Sequence, residues 1–418
     1  MAIVIEGATL DGEPAGVRID GGSIDAIGGG VEAGPGDERI EGAGTAIVPG
    51  LVNGHTHAAM TLFRGYADDL PLMEWLQEHI WPVEAKLDDE DVYWGTRLAC
   101  AEMIRTGTVR FWDMYWRPGA VARAVGDAGL RATIGPPLID GGDASKLGEL
   151  KRAAAEGLAA IEEASTPLAA PSLAPHAIYT VSPESLTWIG EESERLGIPV
   201  QIHASETEQE VIDCLEAHGV RPVELLDRVG LLSPRTLLAH AVWLDERERE
   251  LIAAAGATVV SNPVANMKLA VGRIFDLAAS RRHRLPVGLG TDGAGSNNSL
   301  DLLADVKHFA LGQKHLTTDP AAAPASEALA IARGERAPLL GARPLAPGEP
   351  ADLLLVRTDG PELGVGALEP GLVYAASGSV VDTTIVAGRV LMTKGVVEGR
   401  DEILERARER GRRLGLVS

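Results

Sequence analysis

The chain is nearly without cysteine: Cys100 and Cys214 are the only two in 418 residues. Both fall in helix-like stretches and read as core thiols rather than a disulfide. They lie 114 positions apart, which excludes a Pro-Cys-x-x-Cys zinc site. Lysine is scarce too, with seven among the 38 basic residues. No apolar run reaches the length of a membrane span. The start, Met1-Ala-Ile-Val-Ile-Glu-Gly7, lacks the basic residues and cleavage site of a signal peptide. A cytoplasmic protein is expected. No Gly-x-Gly-x-x-Gly opens a helix after a strand, and no Walker motif is present. Positive charge is in deficit: 38 Lys and Arg face 60 Asp and Glu, a net charge of -22. That field repels phosphates, so neither nucleic acid nor anionic membrane is an expected partner.

What is present is an alternation. Eight short apolar runs read as strands: 46–51, 108–113, 132–136, 168–174, 199–203, 236–240, 257–261 and 286–290. Amphipathic or alanine-rich stretches separate them. Eight β/α repeats in about 290 residues predict an α/β fold, a (β/α)8 TIM barrel. An open doubly wound sheet is the alternative, and it would need the phosphate fingerprint that is missing. Both chain ends have another texture, with glycine-cut β runs such as Ile3-Val-Ile5 and Ala351-Asp-Leu-Leu-Leu-Val356. They predict a small β-sandwich domain built from residues 1–48 plus 343–418, with a terminal helix. The barrel then spans 49–342.

The most informative stretch is Pro49-Gly-Leu-Val-Asn-Gly-His-Thr-His57. Residues i and i+2 of a strand point to the same side, so His55 and His57 aim at one point. Two neutral imidazoles converging there suit a zinc-like ion. Other predicted strands end in His176, His203, His240 and Asp292. A lone histidine after an apolar run is more often a core residue than a ligand. Five histidines and an aspartate at one end of a barrel are not explained by packing, because such a cluster is costly unless paired or metal-bound.

These segments, with His203-Ala-Ser-Glu206 and Thr291-Asp-Gly293, resemble the amidohydrolase superfamily over essentially the whole chain. The stretches Leu72–Glu84, Ala174–Thr180, Ser261–Ala270 and Gly290–Asn298 are more specifically similar to its methylthioadenosine/S-adenosylhomocysteine deaminase branch. The resemblance implies one Zn²⁺ per chain, or Fe²⁺ or another divalent ion, held by His55, His57, His203 and Asp292. It implies a mononuclear site, since the bridging lysine of binuclear relatives is absent and Lys268 alone lies near a strand end. It assigns Asp292 to take the proton of an attacking water, Glu206 to protonate the ring nitrogen and His240 to orient the water. Glu84 would receive ribose hydroxyls, Trp75 would wall the adenine pocket and His176 would hydrogen-bond the nucleoside. Each of these three is equally readable as packing or a solvated charge.

The implied reaction is hydrolytic deamination of an adenosine-type nucleoside: adenosine, 5′-deoxyadenosine, methylthioadenosine or S-adenosylhomocysteine. The implied partner is that small molecule, with a homo-oligomer allowed. One departure stands out. An arginine expected at the end of the third strand is replaced by Gly135-Pro-Pro-Leu138. Arg117, Lys146, Lys151 and Arg152 are the nearby substitutes, and the loss disfavours S-adenosylhomocysteine. Arg110 sits oddly inside a predicted strand, and an acidic residue at the barrel base is its expected partner. Ser296 and Asn298 read as caps of the next helix. The alternative functions are hydrolysis or deamination of another heteroaromatic ring, such as guanine or an s-triazine, and a non-catalytic scaffold on the same barrel.

Overall fold

The structure is a computed structural model and describes residues 2–417. The chain opens with β1 (Ile3–Leu10), β2 (Glu13–Asp20), β3 (Ser23–Gly28), β4 (Glu38–Glu41) and β5 (Thr45–Pro49). It then enters the barrel through β6 (Leu51–Thr56), β7 (Thr108–Met114), β8 (Arg131–Gly135), β9 (Pro137–Leu138) and β10 (Ala169–Pro171). The second half comprises β11 (Ala174–Pro175), β12 (Val200–Ala204), β13 (Thr236–His240), β14 (Thr258–Ser261) and β15 (Val287–Leu289). Finally β16 (Leu353–Arg357), β17 (Val381–Val386), β18 (Arg389–Thr393) and β19 (Val396–Val397) lead to a helix over Arg400–Leu414.

β6, β7, β8 and β10 pair in parallel, as do β12, β13, β14 and β15. The bridges Leu173↔Val200 and Ala177↔His203 join the two sets on one side. On the other side the ring is closed by side chains as well as backbone. Asn53 Nδ2 donates to Thr291 Oγ1 at 2.7 Å, Thr291 N donates to Asn53 Oδ1 at 3.0 Å, and Asp292 N donates to the His55 carbonyl at 3.0 Å. Gly290 makes this closure possible, since a Cβ there would lie 2.8 Å from the His55 nitrogen. The strands are buried runs such as Thr236–His240, as a parallel sheet covered by helices requires.

The first barrel strand differs from expectation. The run expected at 46–51 is split: β5 belongs to the sheet of the chain ends, and β6 is the barrel strand. Pro49-Gly50 makes the break. Pro49 ends β5, and Gly50 passes so close to β7 that a Cβ would lie 2.3 Å from Val109 Cγ1. The fourth strand is likewise broken, into β10 and β11.

The strands of the two chain ends share one hydrogen-bonded sheet. β16 runs antiparallel to β5 from Leu353↔Pro49 to Arg357↔Thr45. Its own core includes Ile5, Val17, Ile24, Ile47, Leu355 and Ile385. The C-terminal helix returns to the barrel, where Arg413 Nε donates to Asp91 Oδ1 at 3.1 Å. That contact lies on the long helix Asp89–Thr106, which starts with a reciprocal capping box between Asp88 and Asp91. Cys100 and Cys214 are free, buried thiols on helices. Among the described residues no helix is long and apolar enough to cross a membrane.

A candidate metal centre at the barrel mouth

The polar residues gather where the strands end. His55 lies inside β6, fully buried, and His57 follows that strand directly. β12 carries His203, β13 ends in His240, and Asp292 comes just after β15. The Nε2 atoms of His55 and His203 are 3.1 Å apart, and those of His203 and His57 are 3.3 Å apart. Asp292 Oδ1 lies 3.2 Å from His57 Nε2 and 3.6 Å from His55 Nε2. The four ligand atoms all fall within 4.8 Å of one another. A tetrahedral ion with bonds of roughly 2.0–2.1 Å needs donor separations of roughly 3.3–3.4 Å. Most of the measured edges lie close to that value.

The donor chemistry passes the same test. Asp292 Oδ1 is buried and accepts no hydrogen bond, whereas Oδ2 accepts one from Ser296 Oγ at 2.7 Å. A buried carboxylate oxygen left unpaired is expensive, and a cation at the centre of the cluster would satisfy it. His57 Nδ1 donates to the Met114 carbonyl at 2.6 Å, and His203 Nδ1 donates to the His176 carbonyl at 2.7 Å. Those bonds fix the tautomers and leave the Nε2 lone pairs facing inward. His55 Nδ1 has no partner. Three imidazoles and one carboxylate suit a borderline divalent ion. Burial opposes charge on both His55 and His57. The Asp292 carboxylate overrides it at His57, pushed up to about 9, while His55 is pushed down to about 4. A bound divalent ion would take the place of a proton between these groups, since a ligating imidazole must be neutral.

Beside this cluster sit Glu206 and His240. His240 Nδ1 donates to Asn266 Oδ1 at 2.8 Å, which makes its Nε2 an acceptor. Glu206 Oε1 lies 3.7 Å from His240 Nδ1. Burial raises the Glu206 carboxyl, His240 opposes this and Asp292 adds to it. Glu210 pins the turn by accepting from the Ser205 and Glu206 nitrogens at 2.8 Å each. His240 and Asp292 both take left-handed backbone conformations, with φ of 70° and 61°. Strain of this sort costs on the order of 1–3 kcal/mol per residue and persists only where surroundings enforce it.

The cluster opens into a cavity of about 720 Å³. His57, His203, Glu206, His240 and Asp292 form its floor, with His55 beneath them. Glu84, Trp75 and His176 line its walls, so the structure brings every anticipated residue to one place. Trp75 starts a π-helical turn, Trp75–Ile80, and is buried. Glu84 accepts from Trp116 Nε1 at 3.1 Å, and burial raises its carboxyl against that bond. His176 Nδ1 lies 2.9 Å from Thr180 Oγ1.

Several residues escaped the sequence reading. Tyr115, Trp116 and Tyr179 line the cavity; nothing marked Tyr115 and Trp116, whereas Tyr179 lies in the Ala174–Thr180 stretch. Asn266 was findable, since it lies in the Ser261–Ala270 stretch. Ser296 and Asn298 do not cap the next helix. Asp301 does so, accepting from Leu303 N, while Ser296 holds Asp292 and Asn298 Nδ2 donates to Asp68 Oδ2 at 2.6 Å. Lys268 Nζ is bound by Asp68 at 2.7 Å and Asn298 at 3.0 Å. Neither Arg117, Lys146, Lys151 nor Arg152 lines the cavity. Arg117 reaches Asp89 at 3.7 Å, and Lys151 lies 5.3 Å over the Trp188 ring.

Known proteins agree with this architecture. The chain is 48% identical to 5′-deoxyadenosine deaminase of Methanoregula boonei, over 90% of this chain and 86% of that protein. It is 42% identical to 5-methylthioadenosine/S-adenosylhomocysteine deaminase 1 of Archaeoglobus fulgidus, over 95% and 94%. The fold superposes on a zinc-bound adenosine deaminase of Xanthomonas campestris with a TM-score of 0.89, at 33% identity and 99% coverage of both chains. Residues 46–391 match the Amidohydrolase family, and the chain belongs to it.

Proposed function

We infer that the protein is a metal-dependent hydrolytic deaminase that converts the 6-amino group of an adenosine-type nucleoside to an oxo group, releasing ammonia. The observation that carries this is the shared cavity: the four-ligand cluster, Glu206 and His240 face the same space as Glu84 and Trp75. The similarity to 5′-deoxyadenosine and methylthioadenosine deaminases supports the same reading.

A divalent ion held by His55, His57, His203 and Asp292, with zinc favoured by the donor set, would supply Lewis acidity and lower the pKa of a water. The chain's own groups do the rest. Asp292 accepts the proton of the attacking water. His240 orients that water through Nε2, its Nδ1–H being committed to Asn266. Glu206, kept protonated more readily by burial, gives its proton to the ring nitrogen beside the amino-bearing carbon. The new C–O bond forms, Asp292 passes the first water proton to the amino group, the C–N bond breaks and ammonia leaves. The ring nitrogen keeps the proton from Glu206, and the remaining hydroxyl proton returns to Glu206 as the oxo group forms. Glu84 accepts both ribose hydroxyls, a task a carboxylate suits because it offers only acceptors. The aromatic side chains of Trp75 and Trp116 wall the apolar part of the nucleoside.

Among the described residues no lysine or arginine lines the cavity, and Arg117 lines the pocket that adjoins it at Trp81, Glu84 and Trp116. Neutral 5′ ends, as in 5′-deoxyadenosine and methylthioadenosine, therefore fit better than the zwitterionic tail of S-adenosylhomocysteine. The test is ammonia release by the zinc-loaded enzyme from adenosine, 5′-deoxyadenosine, methylthioadenosine, S-adenosylhomocysteine, adenine, guanine and an aminotriazine. Turnover of the neutral adenosine ribosides is expected, lost on chelation and restored by zinc. Turnover confined to free bases or the triazine would overturn the assignment of Glu84.

A further inference from the structure

Arg110 has no acidic partner, contrary to expectation. It lies on β7 at the end of the barrel opposite the metal cluster, where β6 and β7 begin. The strand carries it four residues before Met114, roughly 13 Å away along the chain. A small second pocket opens there, at the seam between the barrel and the sheet of the chain ends. Its lining includes Arg110, Arg333 and Arg343, together with Glu335 and Asp352.

The charges of this cavity do not balance. Asp352 is already engaged: Arg131 Nε donates to Oδ2 at 2.8 Å, and Ala387 N donates to Oδ1 at 2.7 Å. Glu335 is exposed. Among the described residues Arg110, Arg333 and Arg343 form no ion pair within 4.0 Å. They also have no side-chain hydrogen bond to any of those residues. Arg110 and Arg333 are half-buried, and Arg333 Nε is shut off from solvent without an acceptor. The chain has 60 acidic residues to spend on these three guanidinium groups. Burial, then the neighbouring Arg131 and Arg343, depress the Arg110 pKa, with Asp352 opposing. A guanidinium cannot escape by losing its proton, so a buried one needs an anionic acceptor. Its planar fork matches the oxygen spacing of phosphate.

We propose that this cavity is a binding site for a small phosphate-class oxyanion, held between Arg110, Arg333 and Arg343 at the barrel base. The ligand is a free phosphate or the phosphoryl end of a small phosphomonoester. It would tie the barrel start to the 341–352 connection and strengthen the seam between the two sheets. The site is separate from the deamination centre, so its failure would leave the reading of that centre intact.

The experiment is calorimetric titration and thermal unfolding of the metal-loaded enzyme at fixed ionic strength. Inorganic phosphate and ribose 5-phosphate are the two ligands, with chloride as control. Saturable binding of about one phosphate per chain with a rise in Tm is expected. Arg343→Gln, an exposed change that leaves the fold in place, should weaken it at least about tenfold, as the loss of one charge-assisted bond predicts. Arg110→Gln should do the same, and deamination should be unaffected in Arg343→Gln. Binding of both ligands assigns phosphomonoesters, and binding of phosphate alone assigns the free ion. No saturable binding of either, or equal binding in wild type and Arg343→Gln, would overturn the proposal. Equal binding would place the phosphate at the metal centre.

Discussion

His55, His57, His203 and Asp292 stand on or just beyond barrel strands, whereas Trp75 and Glu84 reach the same cavity from the connection between β6 and β7. The strand-borne side is fixed by parallel ladders and by backbone bonds such as Asp292 N to the His55 carbonyl. The convergence of His55 and His57 follows from the period of a strand, whereas Asp292 lies beyond β15 in a left-handed conformation. The opposite wall is built by packing. Trp75 opens a π-helical turn, and Glu84 is held by one hydrogen bond from Trp116. The lesson is a division of labour: the ladder side sets the chemistry, and the connection side sets what enters.

The sharpest break on the ladder side is Asp292→Asn. On the proposed reading it removes a metal ligand and the proton acceptor together, and turnover should fall by at least about 10⁴-fold while far-UV circular dichroism is retained. Near-normal activity would take Asp292 out of the reaction. Glu206→Gln keeps shape and hydrogen bonding but not the proton, so kcat should fall about 10²–10⁴-fold with metal content unchanged. Loss of metal in that variant would make Glu206 a ligand instead. On the connection side, Glu84→Ala should act mainly on KM for ribosides, raising it about 10–100-fold, and leave free bases unaffected. Equal effects on both would end the ribose role.

The smallest effect lies beneath the ladder side, at Glu210. Burial lifts this carboxyl to about 7 despite the two backbone bonds it accepts. Between its unfolded value near 4.5 and about 7, the folded state holds a proton that the unfolded state has released. Stability must therefore fall as pH rises through that window, by about 3 kcal/mol in total. Tm measured from pH 4.5 to 8 should decline in wild type, and the decline should flatten in Glu210→Gln, whatever constant offset the amide adds. An unchanged slope would assign the pH dependence to another group.

The barrel was legible because alternating strands and helices leave a periodic trace, and the His-x-His pair because strand geometry is regular. The first strand was misplaced by a few residues, since Thr45–Pro49 and Leu51–Thr56 are both apolar and only the Pro49-Gly50 corner separates them. Asn266 went unassigned and Ser296 was read as a helix cap, because a short polar side chain near a strand end has many possible roles. Arg110 was recognised as anomalous, but its missing partner could be seen only once Asp352 was found engaged by Arg131.

The sequence by itself determined the strand count, the convergence of His55 and His57 and the acidic character of the chain, because these depend on local period and residue type; the choice of four ligands rested on the family resemblance. The tertiary structure alone decided the rest. It brought Asn53 and Thr291 together, 238 positions apart, to close the ring, and it set Tyr115, Trp116 and Tyr179 around the cavity. It held His240 and Asp292 in left-handed conformations, which non-glycine residues adopt uncommonly. Such arrangements follow from contacts between distant segments, and no local propensity encodes them.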